Sequence, residues 1–451
     1  MSTVFGILVG LLILSIMMLV HELGHFLAGK ALGFKIISFN LFMGPILYKR
    51  TCKDGVVFTV RLIPMGASVE FAGEDSGINE LPEEGEGEGT QTLEPISPDD
   101  PGLFYNRPRW ARAIVIAMGP LVNFFTAFLA FLILFVSFGV SLPVIEGVEA
   151  NSLAEKAGLR AGDRIVQVND AKISTILDYT MVENFKPQEG QTFKVRGADG
   201  ELRSLRIERK FVDSYRMGIS YTPRPDGRMI VSQVDPRSHE GSPLLRAGDE
   251  ILSAGGVSVK DKSAFDAFIA KQAGNQFDLE IIRDGQKQTL DMTLSHFREL
   301  EPLGNLQLAF TKNFIPSLQQ ALAYPVSVVR STIQGLGMIF SGEIAAKDGL
   351  SGPVGIVAMV GDVVEGDAQV AEKISQLLLY FAYISVAVGF TNLLPIPPFD
   401  GFHLLIIAIE GTIRRNLPDK VKEGFSMLGL ALVLLLVVYV FYLDLSKLFA
   451  R

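Results

Sequence analysis

A single cysteine, Cys52, stands in 451 residues. One thiol excludes any internal disulfide and any cysteine-built metal cluster, so crosslinks do not stabilise an exported part of this chain. Histidine is nearly as scarce: His21, His25, His239, His296 and His403 are the full set. Tryptophan occurs once, at Trp110. Charged residues make up 20% of the chain against 48% hydrophobic, and the charge is concentrated in the middle. The net charge of -8 is inflated by the stretch from Glu74 to Pro101. That stretch has no basic residue and reads as a solvated acidic loop. The net charge therefore says little about partners, and no nucleic-acid partner is expected.

What the chain does have is long apolar runs. Four segments are apolar enough to cross a bilayer: about residues 4–29, 112–138, 374–394 and 425–445. The first has no positive n-region and no small-residue cleavage pattern after it, so it reads as a retained span and not as a signal peptide. A weaker stretch, about 314–341, is interrupted by Pro316, Gln319, Gln320, Pro325 and Arg330. It reads as an interfacial amphipathic helix.

Basic residues set the orientation. Lys30, Lys35, Lys49, Arg50, Lys53 and Arg61 follow the first span; Arg107, Arg109 and Arg112 open the second. Arg414, Arg415, Lys420 and Lys422 lie between the third and fourth. Both connections are expected in the cytoplasm, with both termini and the long segment between spans two and three outside. Trp110 suits an interfacial anchor.

The first span ends in His21-Glu22-Leu23-Gly24-His25. Histidines four apart share one helical face, so both rings can reach one metal ion, and the glutamate between them suits a general base for an activated water. HExxH alone is a weak signal. Its setting strengthens it, because each ionisable side chain at membrane depth costs roughly 2.5–3.5 kcal/mol. At 1.5 Å rise per residue the motif lies roughly 25 Å along the span, toward the cytoplasmic side. The third span runs the same way, so a third ligand is expected just past residue 390. There the chain reads Asn392-Leu-Leu-Pro-Ile-Pro-Pro-Phe-Asp400-Gly401. Irregular backbone at that depth needs a cavity or protein around it, and Pro395, Pro397 and Pro398 would stiffen it. Asp400 is the favoured third ligand, with His403 a rival ligand or a partner behind it. Two imidazoles and one carboxylate leave a coordination position open, as a catalytic zinc requires. The longer HExxHxxGxxH pattern is excluded by Ala28 and Ala31.

HELGH on a first span and NLLPIPPFDG after a later one resemble the site-2 protease family of intramembrane zinc metalloproteases, over nearly the whole chain. The resemblance implies that His21, His25 and Asp400 bind one Zn2+ and that Glu22 is general base and acid. It implies that Asn392, and with it Pro397 of the same motif, contacts the substrate. Phe402 departs from the family pattern, which often has a second glycine there. The family also has a hairpin entering the membrane from the cytoplasmic side. Residues 56–73 read as two strands around Pro64-Met65-Gly66, an edge on which an extended substrate could pair.

The segment 140–298 holds a weak repeat. Leu159-Arg160-Ala161-Gly162-Asp163 matches Leu245-Arg246-Ala247-Gly248-Asp249, and LxAGDxI resembles the PDZ fold. The expected fold is a polytopic α-helical membrane protein, four transmembrane helices with a membrane-associated β-hairpin, plus two periplasmic PDZ-like α+β domains. The expected division is 1–139 (two spans, hairpin, acidic loop), 140–224 and 225–298 (the PDZ-like copies), 299–373 (amphipathic region) and 374–451 (two spans). The tandem resembles the branch of the family that acts in bacterial envelope stress. It implies an inner-membrane enzyme cutting single-span membrane proteins, pre-trimmed anti-sigma factors and remnant signal peptides among them, with the tandem as a size filter. The alternative is a membrane-tethered PDZ scaffold with a non-catalytic metal site. Ser351-Gly352-Pro353-Val354-Gly355 resembles a family turn and is expected to position span three.

Overall fold

In the first span, glycine is used for close packing and not only for flexibility. A Cβ on Gly24 would lie 2.5 Å from the Met118 carbonyl oxygen, and one on Gly6 would lie 2.7 Å from the Gly361 Cα. Small residues let backbones approach where burial of apolar surface gives no net drive between helices. The computed structural model describes residues 2–73, 97, 99–185, 188–223, 228–235, 238–241, 244–260, 262–344, 346–366 and 368–450. Most of the acidic stretch 74–101 lies outside the described residues.

The chain forms two units. The first comprises Met1–Pro143, Ser174–Met181 and Ala309–Ala450. Among its described residues four helices are long and apolar enough to cross a membrane: Phe5–Ala31, Arg109–Phe138, Val370–Asn392 and Lys420–Ser446. The stretch at 314–341 is the helix Phe314–Phe340, outside that set. Its buried face carries Ser317, Gln320 and Ser327, while Ile315, Leu322, Val326 and Ile333 are exposed. Ala321, Tyr324 and Val328 of the same buried face join a hydrophobic core cluster, and the exposed apolar residues on the other face suit contact with lipid. Ser327 Oγ and Arg330 Nη1 donate to buried Asp178 at 2.9 Å each.

The SGPVG turn is bonded to the fourth span. The backbone N–H groups of Gly352 and Gly355 donate to the Asp444 carboxylate of the fourth span, at 3.1 and 2.9 Å. The buried Asp444 side chain thus sits at the N-terminus of the helix Pro353–Glu365, where the first backbone N–H groups lack intrahelical partners. The turn holds that helix to span four.

The sheet between the first two spans departs from the expectation. β1 (Ile36–Thr51) and β2 (Val57–Phe71) are both long strands, and each bends on itself. The bends lie where Phe42, Gly44 and Gly66 take positive φ. Ser38–Leu41 is in register with both Val57–Val60 and Ala67–Glu70. The two arms read around Pro64-Met65-Gly66 therefore flank β1 instead of pairing with each other. Met43, Leu47, Leu62, Ile63 and Met65 expose apolar side chains at the bends.

The second unit comprises Val144–Ile173 and Val182–Leu308. Its strands, some reaching past those limits, are β3 (Val140–Val148), β4 (Arg164–Val168), β5 (Ala171–Lys172), β6 (Gln191–Arg196), β7 (Leu202–Ile207), β8 (Phe211–Arg216), β9 (Ile219–Pro223), β10 (Met229–Val234), β11 (Glu250–Ala254), β12 (Val257–Ser258), β13 (Gln276–Arg283), β14 (Gln286–Thr293), β15 (Ser295–Leu300) and β16 (Leu306–Thr311). Two sheets share one layout, β16-β3-β4-β6-β7 and β9-β10-β11-β13-β14, with β5 on β4 and β12 on β11; β8 pairs β15.

The sequence repeat is a repeat of physical device. Asp163 and Asp249 are each 2% exposed. Each accepts the backbone N–H three residues before it, Arg160 at 2.9 Å and Arg246 at 2.8 Å. Each also pairs with an arginine of the same sheet, Asp163 with Arg203 of β7 and Asp249 with Arg283 of β13. Gly162 and Gly248 take φ of 90° and 92°, which glycine adopts without Cβ strain. Strand pairing runs across the expected divisions at 224/225 and 298/299. β9 belongs to the second sheet, and β16, from beyond the second copy, is the edge strand of the first. Strand pairing across that sequence distance is fixed by hydrogen bonding between elements, which local pattern does not reveal.

Candidate metal centre

His21 and His25 lie one turn apart on one face of the helix that forms the first span, both buried at 7% and 8% exposure. Their Nε2 atoms are 3.2 Å apart. Asp400 enters from a different element. It is the first residue of the helix Asp400–Ile413, which begins after the proline-rich turn. Its Oδ2 lies 3.1 Å from His21 Nε2 and 3.5 Å from His25 Nε2. Among the described residues this is the cluster whose ligand atoms all lie within 4.8 Å of one another.

The donor set fits a divalent ion. His25 Nδ1 lies 2.9 Å from the Val115 carbonyl, which can only accept, so the ring proton is on Nδ1 and Nε2 presents a lone pair to Asp400. Asp400 Oδ2 is buried with no hydrogen-bond partner, a costly state that a cation would relieve. Two imidazole nitrogens and one carboxylate oxygen are a set zinc accepts. Glu22 lies one residue from His21, and its Oε2 accepts the Val69 backbone N–H of β2 at 3.1 Å.

The helix carrying Asp400 is fixed at its far end too. Glu410, 1% exposed, meets Lys422 at 2.9 Å, the Leu417 N–H at 3.0 Å and Arg112 at 4.0 Å. Burial alone would raise the Glu410 pKa; these partners outweigh it and hold the carboxyl below its ordinary range.

Two glycines absent from the sequence reading as site residues shape the centre. A Cβ on Gly119 would lie 2.2 Å from His25 Nε2 and 2.9 Å from His21 Cε1. A Cβ on Gly401 would lie 2.2 Å from the Leu393 carbonyl oxygen. Gly119 and Asn123 interrupt an otherwise apolar span, and that interruption was the available signal. Asn392 is half-buried at the C-terminal end of the third span. Pro397 is buried, and its ring occupies the space beside Gly429 of the fourth span. This contact gives it a packing role against that span. His403 is exposed, stacks edgewise on Phe402 at 5.8 Å, and lies outside the ligand cluster.

With this geometry in hand, the family model for peptidase family M50 matches residues 9–436. The chain belongs to peptidase family M50, the site-2 protease family. It is similar to a protein of Ralstonia nicotianae named as a zinc metalloprotease, 28% identical over 97% of each chain. One from Rhizobium meliloti with the same name is 27% identical over 97% of this chain and 96% of its own. The regulator of sigma-E protease of Salmonella typhimurium is 25% identical over 99% of this chain and 100% of its own. This M50 chain is thus a zinc metalloprotease of the site-2 type and an integral membrane protein.

Proposed function

We propose that this protease hydrolyses a peptide bond within the transmembrane segment of single-span membrane proteins, with His21, His25 and Asp400 as the zinc ligands and Glu22 as general base and acid. The observation that carries the reading is the convergence of three ligand atoms from two distant elements within 4.8 Å, beside a glutamate on the same helical turn. Bound there, zinc supplies the Lewis acidity that activates water and polarises a carbonyl. Glu22 takes the proton of the attacking water on its carboxylate and returns it to the leaving amine.

Peptide bonds in a helix are shielded, so the substrate must be unwound and held extended. The Val69 N–H points at Glu22, while Ala72 N–H pairs inward with the Lys35 carbonyl. By strand alternation the N–H groups of Ala67, Val69 and Phe71 face away from β1. This free edge of β2 passes the catalytic glutamate, which supports strand addition by the substrate, with Asn392 holding the other side. Ala67→Pro removes one outward donor where an edge strand tolerates proline. One hydrogen bond contributes about 0.5–1.5 kcal/mol. The expected result is a fall of about tenfold in kcat/KM, with zinc content unchanged.

The two repeated sheets form PDZ-like modules, placed with both termini in the periplasm of a bacterial inner membrane by the basic residues of the connections. They screen out substrates with bulky external domains, so that anti-sigma factors already trimmed outside, and remnant signal peptides, are the class cut. The test is incubation of the purified full chain with a tagged single-span peptide. Cleavage inside the span, abolished by a zinc chelator and restored by zinc, is expected. Cleavage that persists in chelator would refute the reading.

A further inference from the structure

We infer that Asn123 is a positioning residue for the metal centre: its side-chain oxygen accepts the Nδ1–H of His21 and so holds that ring with its Nε2 lone pair toward Asp400. The inference rests on the reading of His21, His25 and Asp400 as zinc ligands.

A ligating imidazole needs its second nitrogen fixed, because the partner of that nitrogen decides which tautomer is present. His25 has such a partner in the Val115 carbonyl. His21 has none on the backbone. Its Nδ1 faces the side-chain amide of Asn123, with Nδ2 at 3.3 Å. Asn123 is fully buried, in the second span. Its Oδ1 has no hydrogen-bond partner. The two ends of an amide are nearly alike in shape, so their assignment follows from the hydrogen-bond network. With Nδ2 toward the ring, the amide would donate to Nδ1, force the proton onto Nε2, and spoil the ligand. With Oδ1 toward the ring, the buried oxygen gains its donor and both histidines reach the same tautomer.

The backbone of Asn123 is fixed as well. Its carbonyl accepts from Ser385 Oγ of the third span at 2.9 Å. The residue thus ties together the first span, which carries both histidines, and the span that leads to Asp400.

The test separates an acceptor from a donor. Zinc affinity is measured on the full chain in detergent by competition with a chelating dye, for wild type, Asn123→Leu and Asn123→Asp. Aspartate keeps the acceptor and has no donor; leucine keeps the volume and has neither. Asn123→Leu is expected to loosen zinc about 10- to 100-fold, the range seen for such partners, and to shift the visible absorption of the Co2+-substituted protein. Asn123→Asp is expected to hold zinc at least as tightly as wild type. Unchanged affinity in Asn123→Leu overturns the inference, and so does equal loosening by Asn123→Asp. If Asn123→Leu does not fold, Asn123→Ala replaces it, and loosening in Asn123→Asp still decides against an acceptor. His21→Ala in the same assay checks the underlying ligand set separately. Zinc retained there refutes the set itself, whatever Asn123 does.

Discussion

Glu22→Gln is expected to bind zinc at the wild-type stoichiometry and to lose about 10²- to 10⁴-fold in kcat, the usual worth of a positioned general base. The substitution keeps size and shape. Its amide oxygen can still accept the Val69 N–H that Glu22 Oε2 accepts at 3.1 Å, so the sheet edge stays in place. None of the three ligand atoms belongs to residue 22. What is lost is a site that can take up a proton. Metal analysis and cleavage of a single-span substrate on the same preparation check both halves. Retained cleavage removes Glu22 from the chemistry, and lost zinc would make it a ligand or a structural support.

The second large effect is at a residue with no functional group. Gly119→Ala puts a methyl group 2.2 Å from His25 Nε2 and 2.5 Å from His25 Cε1. Carbon–heavy-atom contacts settle near about 3.5 Å, so the ring must retreat by roughly 1 Å. Metal–ligand distances tolerate about 0.2 Å. Zinc affinity is expected to fall by about 10²-fold or more, beyond the range of a lost supporting hydrogen bond, although all three ligands remain. Gly337→Ala is the control. A Cβ there meets nothing within 4 Å, and alanine is the better helix former by roughly 0.5–1 kcal/mol. Wild-type zinc affinity in Gly119→Ala would mean that the two spans separate easily, and that the site is not held by their close approach.

How much of this was legible in the sequence differs by feature. The HELGH histidines were, because i and i+4 on a helix share a face whatever the rest of the chain does. Asp400 was, through span counting and depth, since apolar length and flanking charge are summed locally. The role of Asn123 was not. It stood out as polar in an apolar span, but only the approach of two helices brings it to His21 Nδ1. β2 was read at the right place with its bend at Gly66, yet its partner was missed. β1 carries no clear alternation to signal a strand, and its pairing depends on the other chain segment.

The sequence by itself determined the four apolar spans, the HELGH pattern and the repeated aspartate turn, and its motifs carried the resemblance to the family. The spans follow from composition, the histidine pair from spacing within one helix, the aspartate turn from a short repeated motif, and the resemblance from HELGH and NLLPIPPFDG together. Only the tertiary structure decided which residues surround the ligands: the empty Cβ positions at Gly119 and Gly401, the Val115 carbonyl behind His25, and the β2 edge at Glu22. It alone placed β16 in the first sheet, gave Pro397 to span-four packing, and joined Asp444 to the SGPVG turn. The physical reason is that contacts between elements depend on helix approach and strand register, and these are settled by close packing of the whole unit.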